Sequence, residues 1–227
     1  DTTVAEITVR TEVENLQPIA KQVSVDLNLE GKKVTQEVNL APKERKTVVF
    51  TPDVHKTLEL KSPRLWWPNN YGRQELYTMD VVVAEKGVSS DSKKVRFGVR
   101  ELSYELEVCF PDDSIRRVEY RPTVMGQGEP IFDNINRKYI EGGMCMPRLK
   151  KNVSSDILVP APDKAMQHYM VIKVNGKRIF CKGGNWGMDD AMKRVSREHL
   201  EPYFRLHKEA NFNMIRNWTG ESTEENF

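Results

Sequence analysis

The chain has 227 residues, of which 38% are hydrophobic and 30% are charged, and its formal net charge is +2. These proportions are ordinary for a globular protein of one or two domains. Lys and Arg are spread along the chain, which argues against nucleic acid as a partner. The longest apolar run, within DVVVA at 80–84, is too short to span a membrane.

The first hundred residues are typical of a β-sandwich. Apolar residues alternate with polar ones, most clearly at Val23, Val25, Leu27 and Leu29. Seven such segments follow one another at intervals of about ten residues, with Pro, Gly or Asn between them. The pattern predicts an immunoglobulin-like sandwich over 1–104.

The segment 105–168 has a different composition. It is rich in Pro, Gly, Met and turn residues, and only RRVEYRPTV within it has the pattern of a strand. We therefore expect an irregular insertion or linker here. Three widely spaced cysteines, Cys109, Cys145 and Cys181, predict neither a disulfide framework nor a CxxC metal site, and we expect no cofactor.

Regular structure is predicted again from 169 onward. Two apolar strands flank Asn175-Gly176, a strong hairpin signal. Ser196 is a candidate helix N-cap, and the helix that follows has an apolar face formed by Leu200, Tyr203, Phe204 and His207. The segment FNMIRNW then predicts a strand, so the order is strand, helix, strand, with parallel pairing of the strands.

Two aromatic or polar groupings are candidates for binding. Trp66 and Trp67 either form a platform for a sugar, or one fills the sandwich while the other packs on a neighbouring domain. After the flexible pair Gly183-Gly184, we expect a loop that presents four side chains able to bind or stack on sugars. They are Asn185, Trp186, Asp189 and Asp190.

These segments carry a specific resemblance. LWWPNNYGRQELYTMDV, RFGVREL, VNGKRIFCKGGNWGMDD and NMIRNW, in this order, resemble the family 2 glycoside hydrolases, especially the β-mannosidase and exo-β-glucosaminidase branch. The resemblance implies that an immunoglobulin-like domain precedes a catalytic (β/α)8 barrel. It also implies that 169–227 holds only the first strand, helix and strand of that barrel, which needs roughly 250 residues.

The resemblance also assigns site residues. It implies that Trp218 and Asp190 contact the sugar, with Asn185 and Trp186 beside them, although WTGES departs from the family's Trp-Gly-Gly-Gly. Arg216 corresponds to a barrel-interior Arg, whose carboxylate partner would lie on an absent strand. The family hydrolyses glycosides with retention, by two glutamates at the ends of later strands. No residue here is therefore expected to be catalytic. Poor candidates on this argument are Glu221, Glu224 and Glu225.

The hypothesis from the sequence is a fragment of a hydrolase that acts on β-glycosides, β-mannosidase-like and metal-independent. We expect the fragment itself to be inactive and to self-associate through exposed barrel surface. A carbohydrate is the expected substrate of the parent protein, for which a periplasmic or extracellular location is expected. The alternative is a non-catalytic immunoglobulin-like module that binds a glycan or another domain. Such a module would not need the strand-helix-strand unit.

Overall fold

The computed structural model describes residues 2–122, 130–139, 145–154, 158–160, 170–187, 194 and 196–217. The described chain is mainly β, as predicted. It divides into two compact units, the first comprising Asp1–Trp66 and Arg73–Val99, the second Trp67–Gly72 and Arg100–Phe227. Among the described residues, no helix has the length and apolar character needed to cross a bilayer.

The first unit contains eight strands and a short 3-10 helix at Lys56–Leu58. The strands are β1 (Val4–Glu6), β2 (Val9–Glu14), β3 (Lys21–Leu29), β4 (Lys32–Leu40), β5 (Arg45–Phe50), β6 (Glu59–Lys61), β7 (Tyr77–Glu85) and β8 (Val88–Phe97). One sheet has the order β4-β3-β7-β8, and β2 pairs with β5 and β1 with β6, all antiparallel.

A single hydrophobic core takes side chains from β2 to β7, which is the arrangement of a β-sandwich. The alternation in β3 places Val23, Val25, Leu27 and Leu29 in this core, as predicted. One prediction was too coarse, because the first of the seven predicted segments, AEITVRTEVEN at 5–15, is divided between two strands, β1 and β2. The chain changes partner between them, where the amide of Ile7 donates to the carbonyl of Leu58 at 3.0 Å.

The second unit contains a seven-stranded sheet. Its strands are β9 (Leu102–Cys109), β10 (Ile115–Tyr120), β11 (Phe132–Tyr139), β12 (Cys145–Leu149), β13 (Val159–Pro160), β14 (Val171–Val174) and β15 (Lys177–Arg178). Strand β9 is central, pairing with β10, β12 and β14.

This sheet corrects two expectations from the sequence. The segment 105–168 was expected to be irregular, yet most of β9 and all of β10 to β13 lie within it. The predicted boundaries at 104 and 168 also differ from the observed units. Strand β9 begins at Leu102, before the first boundary, and it pairs with β14, which lies beyond the second. Hydrogen bonding between segments far apart in the sequence, which local periodicity does not reveal, places β9 and β14 in one sheet.

The two faces of the seven-stranded sheet differ in polarity. On one face, Val108 and Val118 are buried in a hydrophobic cluster with Phe110, Ile131 and Leu149. On the other face, β9 presents residues that include Ser103 and Glu105. Both are buried, each with only 1% of its surface exposed. A buried carboxylate is costly unless cations neutralise it.

Cations from three strands surround the carboxylates of this face. Arg178 donates to both oxygens of Glu105 at 3.0 and 2.8 Å, while Arg117 and Lys173 lie 3.8 and 3.9 Å away. The neighbouring Glu119 accepts a hydrogen bond of 2.6 Å from Lys173. Burial alone raises the pKa of Glu119, but hydrogen bonds from Lys173, Ser103 and Arg121 outweigh it and hold the pKa below its usual value.

The predicted Asn-Gly hairpin connects β14 to β15. Asn175 and Gly176 have positive φ angles of 51° and 75°, which this tight turn requires. The side-chain oxygen of Asn175 accepts from the amide of Glu101 at 2.9 Å, and the Asn175 amide donates to the Glu101 carbonyl at 2.9 Å. Asn175 thus extends the pairing of β14 with β9 past the end of the strand.

Asp133 in β11 has an unusually acidic carboxyl group. Hydrogen bonds from the backbone and side chain of Asn136 and the backbone of Ile135 lower its pKa to about 2. An unfolded Asp titrates near pH 4, so these bonds contribute stability above about pH 4 that is lost as pH falls towards 2. We expect NMR titration of the Asp133 carboxyl to give a midpoint near 2, and Asp133→Asn to remove this acid-sensitive contribution. A midpoint near 4 would contradict the assignment.

Candidate functional site

A strand-helix-strand unit follows the hairpin, as predicted. It consists of β16 (Gly183–Trp186), helix α1 (Arg197–Glu209) and β17 (Met214–Asn217). The two strands are parallel, with Gly183 opposite Met214 and Asn185 opposite Arg216. The GGNW segment was expected to be a loop after a strand, but it is itself the strand. Gly183 allows the close approach, because a Cβ there would overlap the backbone carbonyl of Met214.

Helix α1 begins where the sequence predicts. The Ser196 side chain accepts a hydrogen bond from the amide of His199 at 3.3 Å, and Glu198 lies in the first turn. The pKa of Glu198 is lowered by the hydrogen bond from its own backbone amide and by one from the Ser196 side chain. Leu200 is the buried residue of the helix, with 3% of its surface exposed.

Removing the N-cap should weaken the helix moderately. We expect Ser196→Ala to lower the free energy of unfolding of the helix by about 1 kcal/mol, because the His199 amide loses its side-chain acceptor and keeps only the Ser196 carbonyl at 3.1 Å. Hydrogen exchange of the amides in the first turns measures this locally. The variant Ser196→Asp should retain most of the stability, since a carboxylate is also an effective cap. Equal losses in both variants would contradict the capping role.

Trp186 packs under α1 rather than facing solvent. It is 8% exposed, and its ring centroid lies 5.5 Å from that of Tyr203, 6.3 Å from Phe204 and 6.0 Å from His207. The predicted apolar face of the helix therefore meets the strand pair through this indole. Trp186 braces the unit, and its predicted contact with a sugar stays a prediction.

Asn185 and Arg216 lie next to each other near the carboxyl ends of the two strands. A guanidinium nitrogen of Arg216 donates to the side-chain oxygen of Asn185 at 3.2 Å, and both residues are exposed. The carboxylate that the family resemblance implies as the partner of Arg216 stays a prediction, and among the described residues Arg216 is hydrogen-bonded to the Asn185 side chain. The pair offers an amide donor and a cationic donor to a ligand, which suits sugar hydroxyls.

The remaining candidates, Trp218, Asp189 and Asp190, lie outside the described residues. So do the three glutamates that were expected not to be catalytic, Glu221, Glu224 and Glu225. Their sugar contacts, or the absence of a catalytic role for the glutamates, stay predictions. Asn185 and Arg216 are thus the two candidates that the structure brings together.

The WPNNYG segment, residues 67–72, hydrogen-bonds to the strand-helix-strand unit. The sequence did not reveal this contact. The side-chain amide of Asn69 donates to the carbonyls of Lys208 and Phe212 at 3.1 and 3.0 Å. That of Asn70 donates to the carbonyl of Asn211 at 3.1 Å. The Lys208 carbonyl lies in the last turn of α1, where it also accepts the Asn211 amide at 3.0 Å, and the Asn211 and Phe212 carbonyls lie in the turn that follows the helix. We call residues 67–72 the 67–72 loop.

Trp66 precedes this loop and Trp67 is its first residue, and the two tryptophans lie in different units. Trp66 packs in the first unit, where a Cβ on Gly98 would come within 2.9 Å of its side chain. Trp67 belongs to the second unit and lies over Gly72, where a Cβ would come within 2.8 Å of the indole. Both are half-buried, so these glycines make room for packed indoles.

The thiols have no disulfide partners. Cys109, Cys145 and Cys181 are all free, and burial raises the pKa of the Cys181 thiol. A raised pKa keeps the thiol protonated at neutral pH and lowers its reactivity as a nucleophile. Within the described ranges, His, Cys, Asp and Glu side chains do not form a group of three that could hold a metal ion.

Comparisons with known proteins agree with this architecture. Residues 1–100 match the model of the glycosyl hydrolases family 2. The chain is 34% identical over 212 residues to an exo-β-D-glucosaminidase of Streptomyces avermitilis, covering 93% of this chain and 17% of that protein. It is 25% identical over 203 residues to a mannosylglycoprotein endo-β-mannosidase of Lilium longiflorum, covering 89% of this chain and 15% of that protein.

A solved structure has the same fold. The exo-chitosanase CsxA of Amycolatopsis orientalis, in complex with PNP-β-D-glucosamine, superposes with a TM-score of 0.61 at 23% identity. The match covers 97% of this chain and 18% of the CsxA chain. The chain therefore spans less than a fifth of the length of these relatives.

Proposed function

Because the chain belongs to glycosyl hydrolase family 2, we propose that it is part of an enzyme that hydrolyses β-glycosides. Its relatives include an exo-β-D-glucosaminidase and an endo-β-mannosidase, which supports β-linked glucosamine or mannose residues as the substrate class. The observation that carries the proposal at the site is the exposed Asn185–Arg216 pair near the carboxyl ends of parallel strands.

The strand-helix-strand unit is proposed to be the first part of a (β/α)8 barrel. Parallel pairing of β16 with β17 through α1 supports this, because barrels are built from such units. In barrel enzymes, the loops that follow the carboxyl ends of the strands form the active site. On this proposal, Asn185 and Arg216 border a sugar subsite.

The chemistry on this proposal is retaining hydrolysis. Two glutamates about 5 Å apart act as acid/base and nucleophile, and the nucleophile forms a covalent glycosyl intermediate. Both glutamates are proposed to lie outside this chain, which on its own would be inactive. Asn185 and Arg216 would donate hydrogen bonds that orient the sugar ring. Correct orientation of the sugar lowers the barrier to reaction, although neither residue takes part in proton transfer.

An NMR titration with methyl β-D-mannoside and methyl β-D-glucosaminide tests the sugar subsite. We expect both to shift the signals of Asn185 and Arg216, whereas the matching α-glycosides should have a weaker effect. Arg216→Ala should abolish the response while leaving the amide signals of the first unit unchanged. A response that persists undiminished in Arg216→Ala would overturn the assignment of the site.

An assay with p-nitrophenyl β-glycosides tests the proposed inactivity of this chain. We expect no release of nitrophenol above the rate of the buffer. Turnover that co-purifies with the chain through successive columns would overturn the placement of both catalytic glutamates elsewhere. Turnover lost on substitution of Glu221, Glu224 or Glu225 by Gln would assign the missing carboxylate to that residue.

A further inference from the structure

The 67–72 loop contacts both segments that lead into the parallel strands. On the β17 side, Asn69 and Asn70 bind carbonyls in the last turn of α1 and in the turn between α1 and β17. On the β16 side, the hydroxyl oxygen of Tyr71 accepts from the amide of Phe180 at 2.8 Å. One short loop therefore hydrogen-bonds to the segments that precede both strands.

Asn213 connects these two segments directly. Its side-chain amide donates to the carbonyl of Phe180 at 3.0 Å, and its side-chain oxygen accepts from the amide of Lys182 at 2.9 Å. The amide of Asn213 also donates to the carbonyl of Lys182 at 2.9 Å. The contacts from Tyr71 through Phe180 to Asn213 thus form a continuous hydrogen-bonded series ahead of β16 and β17.

The strands themselves specify their register only weakly. Each has four residues, and β16 begins with Gly183 and Gly184, which have no side chains to lock the pairing. Glycine-rich strands are prone to slippage, and a two-stranded sheet is marginal on its own. A one-residue slip would move Asn185 away from Arg216, its partner across the pair. Contacts outside the strand pair must therefore help to fix the register.

We propose that Asn69, Asn70 and Tyr71 are positioning residues that set the register of β16 against β17 and so bring Asn185 to Arg216. The value of the pair for sugar binding rests on the proposed function, but the positioning does not. The loop acts at the amino ends of the strands, and its effect reaches the carboxyl ends through the short strand pair. None of the three residues contacts the ligand on this proposal.

Two substitutions, each with a matched control, test the proposal. Asn69→Ala removes an amide that bridges two carbonyls, and Asn15→Ala removes an equivalent bridge between the carbonyls of Ile19 and Ala41 in the first unit. Tyr71→Phe removes a hydroxyl that accepts a backbone amide. Tyr77→Phe does the same to the hydroxyl that accepts the Arg64 amide at 2.7 Å.

Hydrogen exchange and the side-chain amide signal of Asn185 are the two measurements. We expect Tyr71→Phe to speed exchange of the Phe212, Asn213 and Met214 amides about tenfold, as loss of one hydrogen bond implies, and Asn69→Ala, which removes two, to speed it by at least about as much. They should also shift the Asn185 side-chain signal, which reports its bond to Arg216. The controls Asn15→Ala and Tyr77→Phe should leave both measurements unchanged.

Two results would overturn the proposal. In one, exchange accelerates but the Asn185 signal stays in place, so the loop stabilises without positioning. In the other, the controls change the same signals as the loop variants, so the effect is general destabilisation. If Asn69→Ala unfolds the second unit, the milder Tyr71→Phe decides. Neither measurement requires a sugar, so a failed sugar titration leaves this test intact.

Discussion

We expect Gly183→Ala to unfold the strand-helix-strand unit or to weaken it by at least about 3 kcal/mol, the upper part of the range for overpacking. A Cβ at Gly183 would overlap the carbonyl of Met214 on the partner strand. Backbone atoms cannot rotate away as a long side chain can. The strands would have to separate, and the Trp186 packing beneath α1 would be lost with them.

The next residue provides a matched control. A Cβ at Gly184 would meet no atom within 4 Å, so Gly184→Ala should change stability by less than about 1 kcal/mol. Native-state hydrogen exchange of the β17 amides compares the two variants in the same unit. Similar protection in both variants would show that the close approach at Gly183 does not constrain the pairing of β16 with β17.

The second large effect is expected at the buried carboxylate of the seven-stranded sheet. Glu105→Gln keeps the shape of the side chain but removes its charge, while Arg178, Lys173 and Arg117 remain around it. Leaving one partner of a buried ion pair uncompensated costs about 3 to 5 kcal/mol. We expect a loss near the lower figure, because Lys173 keeps its bond to Glu119. Urea unfolding of the second unit measures the loss.

An exposed ion pair on α1 is the control for this substitution. Glu201 lies 3.3 Å from Arg197, and the two side chains are 64% and 80% exposed. Glu201→Gln should therefore cost about 0.5 kcal/mol or less. If Glu105→Gln were no worse than Glu201→Gln, the charges on the buried face would have to be neutralised independently of Glu105.

Local periodicity predicted much of this structure. The alternation in β3 and the Asn175-Gly176 turn were visible because each depends on neighbouring residues. Helix α1 was predicted from Ser196 and the spacing of its apolar face for the same reason. At the site, Asn185 and Arg216 were found through motifs, and the parallel pairing of their strands followed from the intervening helix.

Other features depend on contacts far apart in the sequence. Asn69 lies 139 positions from Lys208, so a turn signal in PNNYG could not reveal what the turn binds. Strand β9 alternates, with Leu102, Tyr104 and Leu106 at every second position. Its other face carries Glu105, which composition alone would assign to solvent. Trp186 could have been recognised as buried, because strand alternation places it opposite to the exposed Asn185.

The buried charges have a consequence for the order of folding. Strands β9 and β10 are joined by a short turn and can meet early, but their pairing sets Glu105 directly opposite Glu119. Like charges facing each other disfavour a hairpin, and Arg117 is the one nearby cation that β9 and β10 contribute to Glu105. Arg178, its closest cation, lies 73 positions away along the chain. We therefore expect the β9–β10 pair to become stable only when β14 and β15 join it, so that this long-range closure limits how fast the sheet forms.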